Sequence, residues 1–167
     1  MNTITRSRIY LSMAAMVLTA ALVVTATAQK QVPFKGALQG HEIDTPQGGS
    51  PPTTLSVDGS ATGIGTQVGE FSFNYRATVN LADRTATGFA ELIAANGDTI
   101  LTTFTGSSEL TAIPGVTSIT EINTITGGTG RYAGAQGSFT VERLVNLATG
   151  FTSGSFHGTI TSPRAAH

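Results

Sequence analysis

The chain has 167 residues and a formal net charge of −1, and only 11% of its residues are charged. A length of this order suits one domain with a sizeable core. The charges are scattered, so the sequence has neither the basic cluster of a nucleic-acid-binding protein nor the acidic run of a disordered tail. The absence of cysteine excludes disulfides, thiol catalysis, cysteine zinc sites and iron–sulfur clusters.

The first 28 residues have the pattern of a secretory signal peptide. Arg6 and Arg8 precede an apolar run at 9–24, and the Ala-Thr-Ala string at 26–28 supplies the small residues that a signal peptidase requires. The run is shorter than the ~20 residues of a spanning helix, which favours a cleaved signal over a membrane anchor. We predict an exported protein, periplasmic or extracellular, whose mature chain begins at Gln29 and has no membrane span.

The mature chain begins with a short predicted strand and a long predicted loop. Residues 34–40 form the strand, and the prolines and glycines of residues 41–54 predict the loop. We therefore divide the chain into a signal peptide at 1–28, a first strand and Pro/Gly-rich loop at 29–54, and the remaining strands at 55–167. The last two segments together form one domain.

The clearest strand spans residues 71–81, where apolar and polar side chains alternate strictly. Similar runs occur at residues 55–62, 87–95, 99–105, 117–126, 137–147 and 151–161. Turn signals such as Asn96-Gly97 and Pro114-Gly115 separate them. We predict an all-β chain of about eight strands. Glycines within the runs and the removal of exposed edges favour a single antiparallel barrel over a sandwich.

A glycine-rich corner at residues 125–139 lies between two predicted strands. Its glycines, five within eleven residues, are Gly127, Gly128, Gly130, Gly134 and Gly137. No helical pattern follows, so the Gly-x-Gly-x-x-Ala string at 128–133 lacks the strand–turn–helix context of a dinucleotide site. We interpret the five glycines as structural and predict no cofactor. No metal site is predicted either, because the histidines have no metal-ligand spacing.

The corner resembles the Ile-Thr-Gly-Gly-x-Gly-x-Phe-x-Gly-x-x-Gly corner of plant allene oxide cyclases, and dirigent proteins share a shorter version of it. Ile125 begins the match, and Tyr132 stands at the aromatic position. The chain is similar to a group of bacterial secreted proteins with cyclase-like barrels. The resemblance implies a barrel of this kind over residues 33–161 and a homo-oligomer.

The catalytic residues of the cyclases are not matched. Those enzymes use a glutamate and an asparagine two positions apart on the first strand, with a cysteine near the substrate. The predicted first strand, residues 34–40, has no such pair, and the chain has no cysteine. The residues typical of dirigent active sites also have no clear counterparts, so we nominate no catalytic residue.

One charged residue, Arg143, interrupts an otherwise apolar strand face that includes Phe139 and Val141. In a regular strand it points into the barrel, where Glu91 or Glu121 is a candidate partner. An inward guanidinium is also suited to holding a ligand carboxylate. From the pattern alone we favour the alternative, a bulge or barrel end that turns Arg143 to solvent.

These features favour a non-enzymatic barrel that binds a small apolar molecule or serves as a structural module. Arg143 is the one candidate ligand-binding residue. The alternative function is an isomerase or cyclase of a lipid-derived substrate, and it rests on the resemblance alone. Nucleic acid is not an expected partner.

Overall fold

The structure is a computed structural model that describes residues 29–161 and residue 163. Its eight strands are β1 Gln31–Gln47, β2 Thr54–Gly65, β3 Gly69–Asn80, β4 Thr85–Ala94, β5 Thr99–Leu110, β6 Val116–Gly128, β7 Gly137–Asn146 and β8 Phe151–Thr161. A 3-10 turn, Gly130–Tyr132, lies between β6 and β7. The prediction of an all-β chain is confirmed, whereas the predicted signal peptide lies outside the described residues.

The eight strands form a closed antiparallel barrel. Each strand pairs with the next, and β8 pairs back with β1, so that Gln31 lies opposite Thr161 and His41 opposite Phe151. Closure pairs the backbone groups that would otherwise form exposed sheet edges. The prediction of a single antiparallel barrel is therefore confirmed.

The first strand is longer than predicted. β1 continues through residues 41–47, and only residues 48–53 connect it to β2. Beyond His41 the ladder with β8 ends and β1 pairs with β2 alone, a position that tolerates Pro46. The predicted loop was wrong because this proline and the charged residues at 42 and 44 hide the strand alternation.

The interior of the barrel differs between its two ends. Where β1 begins and β6 ends, four phenylalanine rings pack with centroid separations between 4.9 and 5.8 Å; they are Phe34, Phe71, Phe139 and Phe156. We call this the packed end. Where β1 ends and β6 begins, the inward positions carry smaller and charged side chains. We call this the open end.

The glycine corner closes the packed end. The side chain of Tyr132 enters the core, and its hydroxyl donates a hydrogen bond to the Gln67 carbonyl oxygen at 2.7 Å. A side chain at Gly128 would overlap the carbonyl oxygen of Thr99. The other four corner glycines have φ values in the left-handed region, 152° at Gly127, 53° at Gly130, 76° at Gly134 and 143° at Gly137. Such values strain most residues with a β-carbon.

Candidate functional site

The open end of the barrel encloses a cavity of about 370 Å³, which we call the lumen cavity. Its walls are mainly apolar side chains, among them Leu55, Val57, Ala77, Val79, Ala86 and Ile119. Small-molecule sites in proteins usually have volumes of about 300–1,000 Å³ and mostly apolar walls. The lumen cavity has both properties.

Arg143 lies inside the barrel, at the lumen cavity. The alternation of β7 is regular, with Phe139, Val141 and Val145 buried on the same face, and 4% of the Arg143 side chain is exposed. No bulge interrupts the pairing of β7 with β6 or β8. The solvent-facing orientation favoured from the sequence is therefore wrong.

Two buried carboxylates bind the Arg143 guanidinium, and we call these three side chains the ion cluster. Glu121 on β6 accepts hydrogen bonds from Nη2 at 2.9 Å and from Nε at 3.3 Å, a two-point pair. Glu42 on β1 accepts from Nη1 at 2.6 Å, and the Thr152 hydroxyl on β8 accepts from the same nitrogen at 3.1 Å. The ion cluster thus connects β1, β6 and β7 across the lumen, and its hydrogen bond with Thr152 adds β8.

Tyr75 on β3 supports one side of the ion cluster. Its hydroxyl donates a hydrogen bond to Glu42 Oε2 at 2.7 Å, and its ring centroid lies 4.9 Å from the guanidinium carbon of Arg143. A cation at this distance from an aromatic ring is attracted to it. Gly59, opposite Tyr75 on β2, leaves room for the ring, because a side chain there would overlap it.

The surroundings fix the protonation states of Arg143 and Tyr75. Burial opposes the positive charge of Arg143, but the carboxylate of Glu121 and, less strongly, that of Glu42 raise its pKa above the ordinary value. Burial also raises the pKa of Tyr75, against the opposing effect of Arg143. Arg143 therefore stays charged, and Tyr75 stays a neutral hydrogen-bond donor.

Asp44 lies at the mouth of the lumen cavity, two residues beyond Glu42 on the inward side of β1. Its pKa is raised first by its partial burial and then by the charge of Glu42, while Arg143 opposes the rise. Arg84, in the turn between β3 and β4, also lines the mouth. Three carboxylates and two guanidiniums therefore line the cavity.

The structure separates the two partners predicted for Arg143. Glu121 binds it, whereas Glu91 lies on the opposite face of β4 from the buried Leu92 and forms no ion pair with any described residue. Glu42, Tyr75 and Thr152 were not predicted. Glu42 does have a signal in the sequence, because Phe34, Leu38 and Glu42 share one face of a regular strand.

The part of the chain described by the structure contains no better candidate. Two wider hollows on the barrel wall, one beside Ile64 and the other beside Phe89, contain no buried charged side chain. Among residues 29–161 and 163, no group of three or more histidine, cysteine, aspartate or glutamate side chains is arranged to hold a metal ion. No helix in the same residues is long and apolar enough to cross a membrane.

Comparison with known proteins supports the fold. No family model matches the chain, and no curated protein matches it. Among solved structures it is similar to a pterocarpan synthase dirigent protein, with a TM-score of 0.58 and 13% sequence identity. The match covers 95% of this chain and 100% of that protein. An identity this low carries no information on activity, and what it shows is that this chain has a dirigent-like β-barrel fold.

Proposed function

We propose that the protein binds a small molecule with a mainly apolar body in the lumen cavity. The observation that carries this proposal is the division of the barrel interior into a packed end, filled by aromatic rings, and an open end that contains the lumen cavity. The open end combines apolar walls with a few converging polar groups, which is the usual composition of a small-molecule site. Barrels of eight strands are wide enough to hold one small ligand.

A purely structural role accounts less well for the open end. Apolar side chains filling the lumen would add roughly 25 cal/mol of stability for each Å² of apolar surface they bury. Replacing a buried ion pair with well-packed apolar residues is also often neutral or stabilising. The lumen cavity and the ion cluster are therefore not what an interior built for stability alone requires, which supports a binding role.

Native mass spectrometry of the protein purified from its own source tests this proposal. We expect a non-covalent adduct of one small molecule per barrel that is released on denaturation. The matched variants are Ala77→Phe, which places a ring in the lumen, and Thr78→Phe, which places the same ring on the outer face of β3. The first variant should lose the adduct and the second should keep it. A wild-type protein without any adduct would favour the structural module instead.

An isomerase or cyclase of a lipid-derived substrate is the second candidate function. The observation that favours it is the pair Glu42 and Asp44, which stand two positions apart on the first strand and both line the lumen cavity. They do not reproduce the Glu-x-Asn pair of the allene oxide cyclases, because position 44 is an aspartate. The chain still lacks a cysteine, and Glu42 is already engaged by Arg143 and Tyr75.

Incubation with an unsaturated lipid epoxide distinguishes the two functions. A cyclase would form a ring product of one handedness, measurable by chiral chromatography, and Glu42→Gln would abolish that excess. A binding protein would release the substrate with the same product mixture as buffer alone. We expect the second result.

We also propose that the protein works outside the cytoplasm, in the periplasm or the extracellular medium. The signal-peptide pattern of residues 1–28 supports this. Without Arg6 and Arg8 the chain retains seven basic and ten acidic residues, a net charge of −3. The intact mass of protein recovered from these fractions should correspond to a chain that begins at Gln29. Recovery only from the cytoplasm, with the first 28 residues present, would contradict export.

A further inference from the structure

The charges of the ion cluster do not balance. Glu42 and Glu121 carry two negative charges against the single positive charge of Arg143, and all three side chains are more than nine-tenths buried. Their neighbours Tyr75 and Thr152 are neutral, and at the mouth Asp44 and Arg84 add one charge of each sign, so the cavity lining as a whole keeps one excess negative charge. An uncompensated charge has a stronger effect here than at the surface, because little water is present to screen it.

The hydrogen-bonding capacity of the ion cluster is also unbalanced, because most of its donors are used and some of its acceptors are not. Arg143 has five N–H groups, and four hydrogen bonds from them already reach Glu42, Glu121 and Thr152. The Tyr75 hydroxyl also donates to Glu42. Glu42 Oε2 accepts two hydrogen bonds, whereas its Oε1 accepts none from any described residue. The unused capacity of the cluster is therefore mainly for accepting hydrogen bonds from a ligand.

Asp44 extends this acceptor surface toward the mouth of the lumen cavity. It lies on the same side of β1 as Glu42, roughly 7 Å farther along the strand. A cationic group between the two carboxylates would contact both of them. The raised pKa of Asp44, caused by its surroundings and then by Glu42, reflects the cost of another negative charge at this place. A bound cation would remove that cost.

We propose that the ligand of the lumen cavity carries a positively charged amine on its apolar body, with the ammonium group beside Glu42 and Asp44. This inference rests on the proposed function, because it assigns the head group of a ligand bound at the same site. It also replaces the ligand carboxylate considered for Arg143 from the sequence. That guanidinium is occupied by Glu42 and Glu121, and a ligand carboxylate would meet two like charges.

Three probes with the same chain test the head group: octylammonium, octanol and octanoate, each titrated into the protein at pH 7 by isothermal titration calorimetry. The apolar body is common to all three, so differences in Kd report on the charge alone. We expect octylammonium to bind at least about tenfold more tightly than octanoate, with octanol between them. High salt should reduce the difference in Kd between octylammonium and octanoate, because it screens their charges.

Two variants test whether Asp44 causes the preference for octylammonium. Asp44→Asn removes a charge at the mouth of the cavity, and we expect it to weaken octylammonium binding about three- to tenfold while octanol binding stays nearly constant. Asp58→Asn removes the same charge from the outer wall, where Asp58 pairs with the exposed Arg76, and should affect neither probe. Both substitutions are at exposed positions, so loss of the fold is not expected to obscure the result.

The outcomes separate this inference from the proposed function. If octanol binds and octylammonium does not bind more tightly, the inferred amine head group is wrong and the proposed function stands. Equal or tighter binding of octanoate overturns it as well, as does an Asp44→Asn variant that keeps the full preference for octylammonium. If none of the three probes binds, the amine and the proposed function both fail.

Discussion

Arg143 is the residue on which the open end depends most directly. Its guanidinium is removed from water and is stabilised there by Glu121, Glu42 and the ring of Tyr75. Removing one member of such a group leaves charges that are both buried and uncompensated. The same chemical change on the outer wall leaves charges that water can solvate. The two situations should therefore differ sharply in their cost.

Arg143→Leu should lower the free energy of unfolding by about 3–5 kcal/mol, because Glu42 and Glu121 lose their shared counter-charge. The matched control is Arg76→Leu, which breaks the exposed ion pair with Asp58 on the outer wall. That change should cost no more than about 1 kcal/mol. Urea denaturation of both variants measures the difference, and similar losses in the two proteins would contradict the assignment of Arg143 to a buried cluster.

Asp44→Asn should change how stability depends on pH. Because the pKa of Asp44 is raised in the folded protein, its carboxyl favours folding below its ordinary value of 3.8 and loses that contribution as the pH rises through the folded pKa. The variant should therefore gain stability relative to the wild type as the pH is raised from 3 to 7. Thermal midpoints over that range, measured in the same buffers, would show this trend.

Asp83→Asn is a control for which stability should depend on pH in the opposite direction. The Thr85 hydroxyl and amide donate hydrogen bonds to the Asp83 carboxylate at 2.7 and 3.0 Å and lower its pKa. Asp83 therefore stabilises the fold at neutral pH and loses this effect as the pH falls through its folded pKa. Its variant should be less stable than the wild type at pH 7 and similar to it in acid. Parallel trends in the Asp44 and Asp83 variants would contradict the account.

At the scale of single elements, β1 shows why Glu42 and Asp44 were missed in the sequence. Its first half alternates in the ordinary way, with Phe34 and Leu38 buried, and was predicted as a strand. Its second half places Glu42 and Asp44 at the inward positions of the same alternation, followed by Pro46. Charged residues and proline are typical of loops. The charged residues that line the open end therefore also hid the second half of β1 in the sequence.

The glycine corner can be tested at Gly134, where the backbone effect is free of steric clashes. An added β-carbon would meet nothing within 4 Å, but φ is 76°. Gly134→Val should therefore cost more than about 1 kcal/mol, through backbone strain alone. Gly134→Asn should cost clearly less, because asparagine tolerates the left-handed region. Equal thermal midpoints for the two variants would contradict backbone strain as the cause of the loss.

At the scale of the whole molecule, the fold could be predicted from the sequence and most of the site could not. A period of two recurs in run after run, and glycines within these runs favoured a closed barrel over a sandwich. The contact between Glu42 and Arg143 joins residues 101 positions apart in the sequence and depends on how β1 and β7 lie around the barrel. Regular alternation predicts which face a residue occupies, but it does not predict the residue opposite it across a lumen.

The most direct test of the lumen as a binding site is titration with N-phenyl-1-naphthylamine, a neutral apolar dye that fluoresces when it leaves water. Ala77 lines the lumen cavity, and Thr78 is exposed on the other face of β3. We expect saturable 1:1 binding by the wild type and by Thr78→Phe, and at least about tenfold weaker binding by Ala77→Phe, since an added ring fills much of the cavity. Equal binding by all three proteins, or no saturable binding by any, would contradict the account.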